Sequence, residues 1–431
     1  MNRALIVIAL LAFAVPARAE LTIEITQGAG QAVPIAVVPF GLEGTADAPL
    51  DVAGVIAADL ARSGRFAPLE QRDMLARPTR GVDIDFDDWR MVDAELIVVG
   101  RLVREAEDDY SLQFQLFDVL RGEQLLGYRI PASARGLRLA AHRAADMIFE
   151  EIIGIPGVFS TRIAYITAED DGATGRVYRL IVSDADGANQ YTIVESAEPL
   201  MSPTWSPDGR RIAYVSFEGN RSAVWVQTLR TGDRQQLSAE AGINGAPAWS
   251  PDGRRLAMTL SGPEGNPDIW VMTIATGDKR RLTKNPAIDT EAAWSPNGRF
   301  LYFTSDRSGG PQIYRVAADG GEASRVTFEG RYNARPRISA DGSKLAVVHD
   351  DRGNFRIAVY DLEKRLFQVL SDGRLDESPD FAPNGATLIY ATRQDGKGVL
   401  ATVSVDGTVK QRLASTGGDV REPVWSPFRN D

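Results

Sequence analysis

Residues Pro203–Gly209 read Pro-Thr-Trp-Ser-Pro-Asp-Gly, and five further copies of this phrase follow along the chain. The tryptophan position of the phrase falls at residues 205, 249, 294, 338, 381 and 425, so the copies are spaced by 43 to 45 residues. A period of this length is typical of the blades of a β-propeller. The further copies are Pro247–Gly253, Ala293–Gly298, Pro336–Gly342, Pro379–Gly385 and the shortened Pro423–Pro427.

Each repeat contains the elements of one blade. Pro and Trp begin a strand, and Ser-Pro-Asp-Gly predicts a tight reversal because proline presets φ and glycine accepts a positive φ. In the first copy a second strand then begins at Arg211, a third carries Val224–Val226, and a fourth ends at Ser238. Four antiparallel strands per period make one propeller blade.

The two ends of the repeat array predict how the ring closes. Arg162–Ile166 resembles a second strand but has no copy of the phrase before it, whereas the copy at Trp425 has no second strand after it. Joining these halves gives one complete blade beside five whole ones, and it removes exposed sheet edges. We therefore predict a six-bladed all-β propeller over residues 159–431, closed by the C-terminal strand.

The front third predicts a small N-terminal α/β domain over residues 34–155, joined to the propeller by a tight linker. Pro34–Phe40 has the pattern of a short buried strand, and Asp51–Ser63 that of a helix. Further predicted elements are the strands Glu95–Arg104, Tyr110–Val119 and Glu123–Ile130 and the helix Leu137–Ile152.

Residues 1–19 have the pattern of a secretory signal peptide. Arg3 precedes a 12-residue apolar run, and Ala17-Arg18-Ala19 fits the small-x-small rule for cleavage. We expect cleavage after Ala19 and an exported protein that does not insert into a membrane. Because the chain contains no cysteine, its stability must come from packing rather than from disulfides.

The charge balance narrows the classes of partner. Residues 20–158 carry 13 basic and 23 acidic side chains, whereas residues 159–431 carry 33 and 35. Nucleic acids and anionic lipids both require a basic face, so this balance argues against either partner.

The sequence offers little for catalysis or metal binding. Its two histidines, His142 and His349, favour packing or loop roles, although Asp350 and Asp351 could orient His349 as a base, and no Gly-x-Ser-x-Gly elbow occurs. Asp184–Gly187 is similar to a calcium loop, but its glycine comes too early and the closing glutamate is missing, which favours a plain turn. We predict no catalytic residue, no metal and no cofactor, with a weakly held channel cation left open.

The loops at one mouth of the channel are the predicted functional surface. The first strand of each blade lines the channel of a propeller, so the residues before each phrase crowd one mouth. Mixed charged, hydroxyl and small side chains on loops suit protein recognition, although every propeller has such loops. The residues are Met201, Ser202, Gly245, Ala246, Thr290, Glu291, Arg335, Glu377, Ser378, Arg421 and Glu422.

The whole chain, signal peptide included, resembles the TolB family, the periplasmic component of the Tol-Pal system. The resemblance rests on the repeated phrase, on Asn244–Pro247 and Asp376–Pro379 before it, and on Ile35–Phe40 and Ala57–Leu60 in the front domain. It implies a non-enzymatic periplasmic scaffold that supports outer-membrane integrity and envelope constriction during cell division, and that is a monomer when free.

The resemblance also implies two protein partners. In this family the propeller mouth binds Pal, the peptidoglycan-associated lipoprotein of the outer membrane, and the start of the mature chain binds the inner-membrane protein TolA. The implied Pal contacts are Asn244, Ala246, Thr290 and Glu291, with Ser202, Glu377 and Arg421 beside them. The implied TolA-binding residues are Glu20, Leu21, Thr22, Ile23, Glu24, Ile25 and Thr26.

Residues 20–33 are predicted to be a flexible partner-binding segment. Glu20–Thr26 alternates polar and apolar residues, so it can add as a strand to a sheet edge or lie on its own protein, and Gln27–Gly30 follows as a hinge. Docking and release of this segment would couple the two binding sites by about 1 to 3 kcal/mol. The alternative, a periplasmic hydrolase or lyase with its active site in the channel, requires a clustered acid-base pair that the sequence does not supply.

Overall fold

The computed structural model describes residues 21–27, 32–43, 48–170, 172, 175–262, 264–415 and 418–429. The predicted signal peptide of residues 1–19, Glu20 and the hinge residues 28–30 lie outside the described residues. None of the helices in the described ranges is both long enough and apolar enough to cross a membrane.

The first described strand, β1 (Leu21–Gln27), precedes a small α/β domain built on one mixed sheet. The strands of this sheet are β2 (Val33–Val37), β3 (Gly41–Glu43), β4 (Phe66–Pro68), β5 (Leu96–Arg104), β6 (Asp109–Asp118) and β7 (Glu123–Ser133). Their spatial order is β4-β2-β5-β6-β7, with β3 also paired to β5. The pairs among β2 to β5 are parallel, whereas β5, β6 and β7 form an antiparallel meander.

Helices cover both faces of this sheet. Helix α1 (Val52–Arg62) begins where Asp51 accepts a hydrogen bond from the backbone N of Gly54 at 2.9 Å. Helix α2 (Phe86–Met91) is one short turn and a half, which is why the helical period did not reveal it, and it buries Trp89 against one face. Helix α3 (Leu137–Ile153) ends at Gly154 and packs with α1 on the other face. Short 3-10 turns are Gln71–Asp73, Gly81–Asp83, Ala134–Gly136 and Glu218–Asn220.

The remaining described strands form the blades of a propeller. Three strands come first: β8 (Arg162–Asp170), β9 (Arg176–Asp184) and β10 (Tyr191–Ser196). Two complete blades follow: β11 (Leu200–Trp205), β12 (Arg211–Ser216), β13 (Ala223–Thr228), β14 (Arg234–Ser238); then β15 (Asn244–Trp249), β16 (Arg255–Ser261), β17 (Pro267–Thr273), β18 (Lys279–Arg281).

Three further blades and one final strand complete the described chain. The strands are β19 (Asp289–Trp294), β20 (Phe300–Ser305), β21 (Gln312–Ala317), β22 (Ser324–Arg325); β23 (Asn333–Ile338), β24 (Lys344–Asp351), β25 (Asn354–Asp361), β26 (Leu366–Val369); and β27 (Glu377–Phe381), β28 (Thr387–Gln394), β29 (Lys397–Ser404), β30 (Lys410–Ser415). The last is β31 (Asp419–Trp425).

The C-terminal strand closes the ring as the sequence predicts. β31 pairs antiparallel with β8, so that the sheet runs β10-β9-β8-β31 and forms the sixth blade. Beyond the strand, Ser426 exchanges two hydrogen bonds with Arg162, from Arg162 N to Ser426 Oγ at 2.9 Å and from Ser426 N to Arg162 O at 2.8 Å. Trp425 donates from Nε1 to Thr161 Oγ1 at 2.7 Å. These bonds join the two ends of the propeller.

The repeated phrase holds neighbouring blades together. Ser206 Oγ accepts from the backbone N of Arg211 at 2.9 Å and so fixes the reversal after β11. Gly209 has φ 65° and packs against Pro427 of the preceding blade, where an added Cβ would lie 3.4 Å from the ring. Trp205 donates across the same boundary to the carbonyl of Val424 at 3.3 Å. The tryptophan and the turn of the phrase are therefore structural.

The two domains meet at the end of the propeller that carries the phrase turns. Arg65 forms an ion pair of 2.7 Å with Asp406, in the turn between β29 and β30. Asn384, in the turn after β27, donates to the carbonyl of Pro156 at 2.9 Å. The opposite end of the channel, where the innermost strands begin, faces away from the N-terminal domain.

Candidate functional site at the channel mouth

All six innermost strands carry the same β-bulge near their first residues. The strand register shifts between Met201 and Thr204 in β11, and at the equivalent step in the other five. Bulges bend a strand and re-aim its side chains. The residues at this step have φ between 45° and 56°, which non-glycine residues seldom adopt. We call them the bulge ring: Ser202, Ala246, Glu291, Arg335, Ser378 and Glu422.

An ion network occupies the centre of the bulge ring. Arg335 donates from Nε to Glu291 Oε1 at 2.8 Å and from Nη1 to Ser378 Oγ, and its Nη2 lies 3.5 Å from Glu422 Oε1. Glu422 also accepts from the backbone N of Ser202. Burial alone would lower the pKa of Arg335, but Glu422 and Glu291 raise it above its ordinary range. The guanidinium is therefore a permanent bridge across the channel.

The channel at this level is too small and too well paired for catalysis on a substrate. The bulge ring and its neighbouring prolines enclose a cavity of about 30 Å³, which is room for one or two water molecules. Glu291 and Glu422, the carboxylates of the ring, are both held by Arg335. No free acid-base pair appears among the described residues that line this cavity.

A wider cavity of about 420 Å³ opens outward from the ring. Its wall combines charged groups, among them the predicted contacts Glu291, Glu377 and Arg421, with apolar side chains such as Tyr332 and Leu375. The structure thus brings these three predicted residues together, while Ser202 and Ala246 line the smaller cavity below.

Asn244 and Thr290 are placed differently from the other predicted contacts. Asn244 is 1% exposed, and its Oδ1 accepts from Ser238 Oγ and from the backbone N of Glu240, both at 2.8 Å. Thr290 Oγ1 lies 3.2 Å from Thr259 Oγ1 on the neighbouring strand. The Asn244 side chain therefore holds the loop beside the mouth, and direct contact of either side chain with a partner stays a prediction.

Three innermost strands begin with such a buried anchor, and a fourth anchor, Asp376, directly precedes β27. Asp289 accepts both Nη2 bonds of Arg307, at 2.8 and 2.7 Å, and Asp376 accepts from Ser371 Oγ and from the backbone N of Gly373. Asn333 donates to the carbonyl of Glu329 at 2.7 Å. Asn244, Asn333 and Asp376 each bond the loop before their strand, whereas Asp289 bonds Arg307 in the turn after β20. Each anchor therefore ties loop residues to an innermost strand.

The residues before the four anchors, which the sequence reasoning missed, form an apolar rim together with Met201, which it had placed at the mouth. Ile243 and Ile288 are each 48% exposed, and Met201 beside them is 38% exposed. Exposed apolar groups clustered around a polar cavity mark interaction sites. The four rim residues other than Met201 lie six residues before the tryptophan position, a signal that could have found them, whereas Met201 lies four residues before it. The apolar rim consists of Met201, Ile243, Ile288, Tyr332 and Leu375.

The predicted N-terminal binding segment is paired with the propeller. Strand β1 adds to the outer edge of β30, with Leu21 opposite Ser415 and Glu24 opposite Arg412. The blade therefore has five strands in the order β1-β30-β29-β28-β27. After β30 the chain turns into β31, which carries Arg421 and Glu422 at the mouth. The docked segment and the mouth thus lie on consecutive elements.

Both histidines are placed outside the channel. His349 Nδ1 lies 3.0 Å from Asn333 Oδ1, and burial lowers the pKa of His349 in spite of Asp351 and Asp350. His142 is 1% exposed and lies between the two domains, beside Asp186. Residues 184–187 form a strand-connecting turn, in which Gly187 N donates to the carbonyl of Asp184 at 2.9 Å.

Comparison with known proteins agrees with this architecture. A family model described as the TolB amino-terminal domain matches residues 21–125, and one described as the TolB beta propeller domain matches residues 149–429. The chain is 50% identical over 412 residues to the Tol-Pal system protein TolB of Xanthomonas oryzae pv. oryzae (strain MAFF 311018), covering 95% of this chain and 93% of that protein. The protein of the same name from Xanthomonas campestris pv. campestris (strain B100) gives the same values.

A solved structure extends the agreement to three dimensions. The crystal structure of TolB from Acinetobacter baumannii superposes with a TM-score of 0.87 at 39% identity, covering 95% of this chain and all of that chain. The relatives are named Tol-Pal system protein TolB, which agrees with the predicted non-enzymatic role. Two matching domains, half-identical relatives and a superposable structure together show that the chain belongs to the TolB family.

Proposed function

We propose that this protein is a periplasmic scaffold of the Tol-Pal system that joins two partners. The channel mouth binds the lipoprotein Pal, and the mature N-terminus, from Glu20 to Thr26, binds TolA. Through these two contacts the protein supports outer-membrane integrity and envelope constriction during cell division. It is exported by its signal peptide and is a monomer when free.

The observation that carries this proposal is the composition of the mouth. An apolar rim surrounds a cavity with a charged floor, and both face away from the N-terminal domain. Interfaces between proteins commonly combine an apolar centre with polar groups that fix the orientation of the partner. Glu377 is exposed, and Arg421 is partly exposed, so both can pair with charges of the partner.

The apolar rim supplies the first test of Pal binding. Ile288→Asp places a charge at the rim without touching the bulge ring, and we expect at least about a tenfold loss of Pal affinity in calorimetric titration. Leu120→Asp is the matched control, because Leu120 is 68% exposed on the N-terminal domain at the other end of the molecule. Equal losses in the two variants, or no loss in Ile288→Asp, would refute a Pal site at the mouth.

The floor of the mouth supplies a second test. Glu291→Lys reverses the charge beside Arg335 and places two cations within the bulge ring. We expect Pal to be lost from the material that co-purifies with the variant from an envelope extract, while the wild-type protein retains it. Capture of no lipoprotein by either protein would contradict the proposed scaffold.

For TolA binding through β1 we propose that β1 leaves β30 and pairs with TolA through the edge that β30 now occupies. In the structure the hydrogen-bonding edge of β1 is occupied by β30, and strand addition to TolA would use an edge of the same segment. Because the chain has no cysteine, a single disulfide can lock the docked state through Glu24→Cys with Arg412→Cys, which face each other across the strands. We expect the oxidised form to lose TolA binding and the reduced form to regain it.

The same locked variant tests coupling between the sites. Because β30 continues into β31 at the mouth, fixing β1 should bias the position of Arg421 and Glu422. A coupling of about 1 to 3 kcal/mol changes Pal affinity by about 5 to 150-fold between the oxidised and reduced forms. Equal Pal affinity in both forms would show that the two sites act independently.

A further inference from the structure

The joint between the two domains contains a buried group of ionisable side chains that the proposed function does not use. His142 of α3 and Asp59 of α1 are each 1% exposed, and Asp186 comes from the propeller turn between β9 and β10 with a side chain 8% exposed. We call these three residues the joint cluster. Buried ionisable groups require paired charges, so their arrangement has a specific energetic role.

The hydrogen bonds of the imidazole reveal where it can accept a proton. His142 Nδ1 lies 2.5 Å from Asp59 Oδ2, and because a carboxylate only accepts, Nδ1 carries the hydrogen. Neutral imidazole then has a lone pair at Nε2, and this buried atom has no hydrogen-bond partner. Nε2 faces Asp186 Oδ2 at 3.6 Å. Two acceptors thus face each other across the domain boundary.

The surrounding charges favour a proton rather than a metal ion at Nε2. Arg62 Nη2 pairs with Asp59 Oδ1 at 2.8 Å, and Arg138 of α3 pairs with Asp186. The two carboxylates are therefore already balanced by two guanidinium groups, and a divalent cation would add a large excess of positive charge. A proton adds a single charge, placed between two acceptors.

Asp146 of α3 completes the set of ionisable groups around the imidazole. It accepts hydrogen bonds from the backbone N of Phe159 at 2.7 Å and of Ser160 at 3.1 Å, where the chain enters the propeller. Burial raises the pKa of Asp146 to about 6, against the lowering by these hydrogen bonds. Burial would likewise raise the pKa of Asp186, but Arg62, His142 and Arg138 lower it, so Asp186 remains an acceptor.

We propose that His142 is a proton-operated latch between the two domains. Proton uptake at Nε2 creates a donor to Asp186 and adds a second bond from α3 to the propeller beside the ion pair of Arg138 with Asp186, whereas loss of that proton removes this bond. Imidazole is the side chain that ordinarily changes charge between about pH 5 and 8. The latch is therefore closed when Nε2 carries a proton and open when it does not.

The structure leaves room for the domains to move when the latch opens. A cavity of about 110 Å³ lies in the same joint, lined by Arg62 and Phe159 from one side and by Val409 and Trp425 from the other. A void of this size removes packing contacts that would otherwise fix the domains. The polar bonds across the joint include the ion pairs of Arg138 with Asp186 and of Arg65 with Asp406, and the hydrogen bond from Asn384 to Pro156.

Imidazole NMR tests the proton uptake directly. The chain has two histidines, so the spectrum has two imidazole signals, and His349→Gln identifies the one from His142. We expect the His142 signal to move when Nε2 takes up a proton. In Asp186→Asn, which keeps an oxygen for the bond from Ala188 N, the shift should move to lower pH. A His142 signal that does not change, or is unaffected by Asp186→Asn, would overturn the proposal.

Spin labels test the mechanical consequence. Arg72 and Lys364 have side chains 82% and 73% exposed on the two domains, and cysteines there are unique in the chain. We expect the interdomain distance distribution to be about twofold narrower at the acidic end of the range. His142→Gln should abolish this pH dependence, and His349→Gln should retain it. A distribution that is the same at both pH values would overturn the latch.

A metal titration separates the proton from the competing ligand. ZnCl2 at about 1 mM should leave the His142 signal and the distance distribution unchanged at neutral pH. Saturable broadening of the signal by zinc, lost in Asp186→Asn, would identify the joint cluster as a metal site and overturn the proposal.

Discussion

The free energy of unfolding of Asp380→Asn, measured relative to the wild type, should be higher at neutral pH than at mildly acidic pH. Asp380 lies on β27, with a side chain 19% exposed, and its Oδ2 accepts from the backbone N of Trp425 at 2.7 Å across the closing seam of the propeller. Burial raises the pKa of Asp380 to about 6, although Arg337 and the Trp425 bond lower it. Asparagine retains an oxygen that can accept from Trp425 but cannot ionise.

The magnitude follows from proton linkage. A carboxyl whose pKa rises from about 3.9 when unfolded to about 6 when folded stabilises the fold fully below pH 3.9 and loses that contribution as pH rises through 6. Between pH 7.5 and pH 5.0 the wild type should gain about 1.4 kcal/mol from Asp380, and the variant should gain nothing from this site. For a propeller of this size the corresponding shift in melting temperature is about 3 °C.

Differential scanning calorimetry at the two pH values measures this difference. The ion pair of Arg337 with Asp380 already contributes to the pKa of Asp380, so its loss in the variant is part of the expected difference. Asp341→Asn is the matched control: burial would raise the pKa of Asp341, but hydrogen bonds from Ser339 and Ser343 lower it to about 2, outside the measured interval. A variant-to-wild-type difference that is equal at pH 7.5 and 5.0, or larger at pH 5.0, would refute the reasoning.

Three further predictions concern the ring and its loops. Deleting residues 422–431 should abolish cooperative unfolding of the propeller in calorimetry, because β8 loses its pairing with Val424 and Trp425; unchanged unfolding would refute closure. Arg335→Met should destabilise the protein by about 3 kcal/mol in denaturant titration, because it leaves the carboxylates of the network unpaired. Adding Glu422→Gln should recover part of this loss, and no recovery would show that Glu422 is not coupled to Arg335. Asn244→Ala should cost about 1 to 3 kcal/mol and raise hydrogen exchange in the loop of residues 238–244, while equal exchange would contradict its anchoring role.

The fold could be predicted from sequence because the repeated phrase marks the first strand and the first turn of each blade. The turn glycine and the tryptophan recur at a fixed period, and the orphan copy at Trp425 fixes the closure. In the N-terminal domain the predicted helix Leu137–Ile152 agrees to within one residue with α3, which is followed by Gly154. Helix α2 was missed since six residues cannot display a helical period, and β3 and β4 because three-residue strands cannot display alternation.

The candidate site could be predicted in position but not in detail. Counting back from the phrase finds the mouth, yet it cannot show that Asn244 turns inward to its own loop whereas Glu377 stays exposed. That difference depends on which loop atoms each side chain meets. The contact of His142 with Asp59 joins residues 83 positions apart, and no local sequence pattern predicts such a pair.

Residues with positive φ differ in type between the phrase turns, which are structural, and the bulge ring, which lies at the candidate site. A left-handed conformation costs an ordinary residue about 1 to 2 kcal/mol, and glycine avoids this cost. At the phrase turns the chain uses glycine, with φ 65° at Gly209 and 68° at Gly253, but at the bulge ring none of the six residues is glycine. The network of Arg335 offsets the cost for its own partners. The network cannot offset this cost for Ala246, because a methyl group makes no hydrogen bond. We therefore infer that the Ala246 side chain is present for a contact made at the mouth.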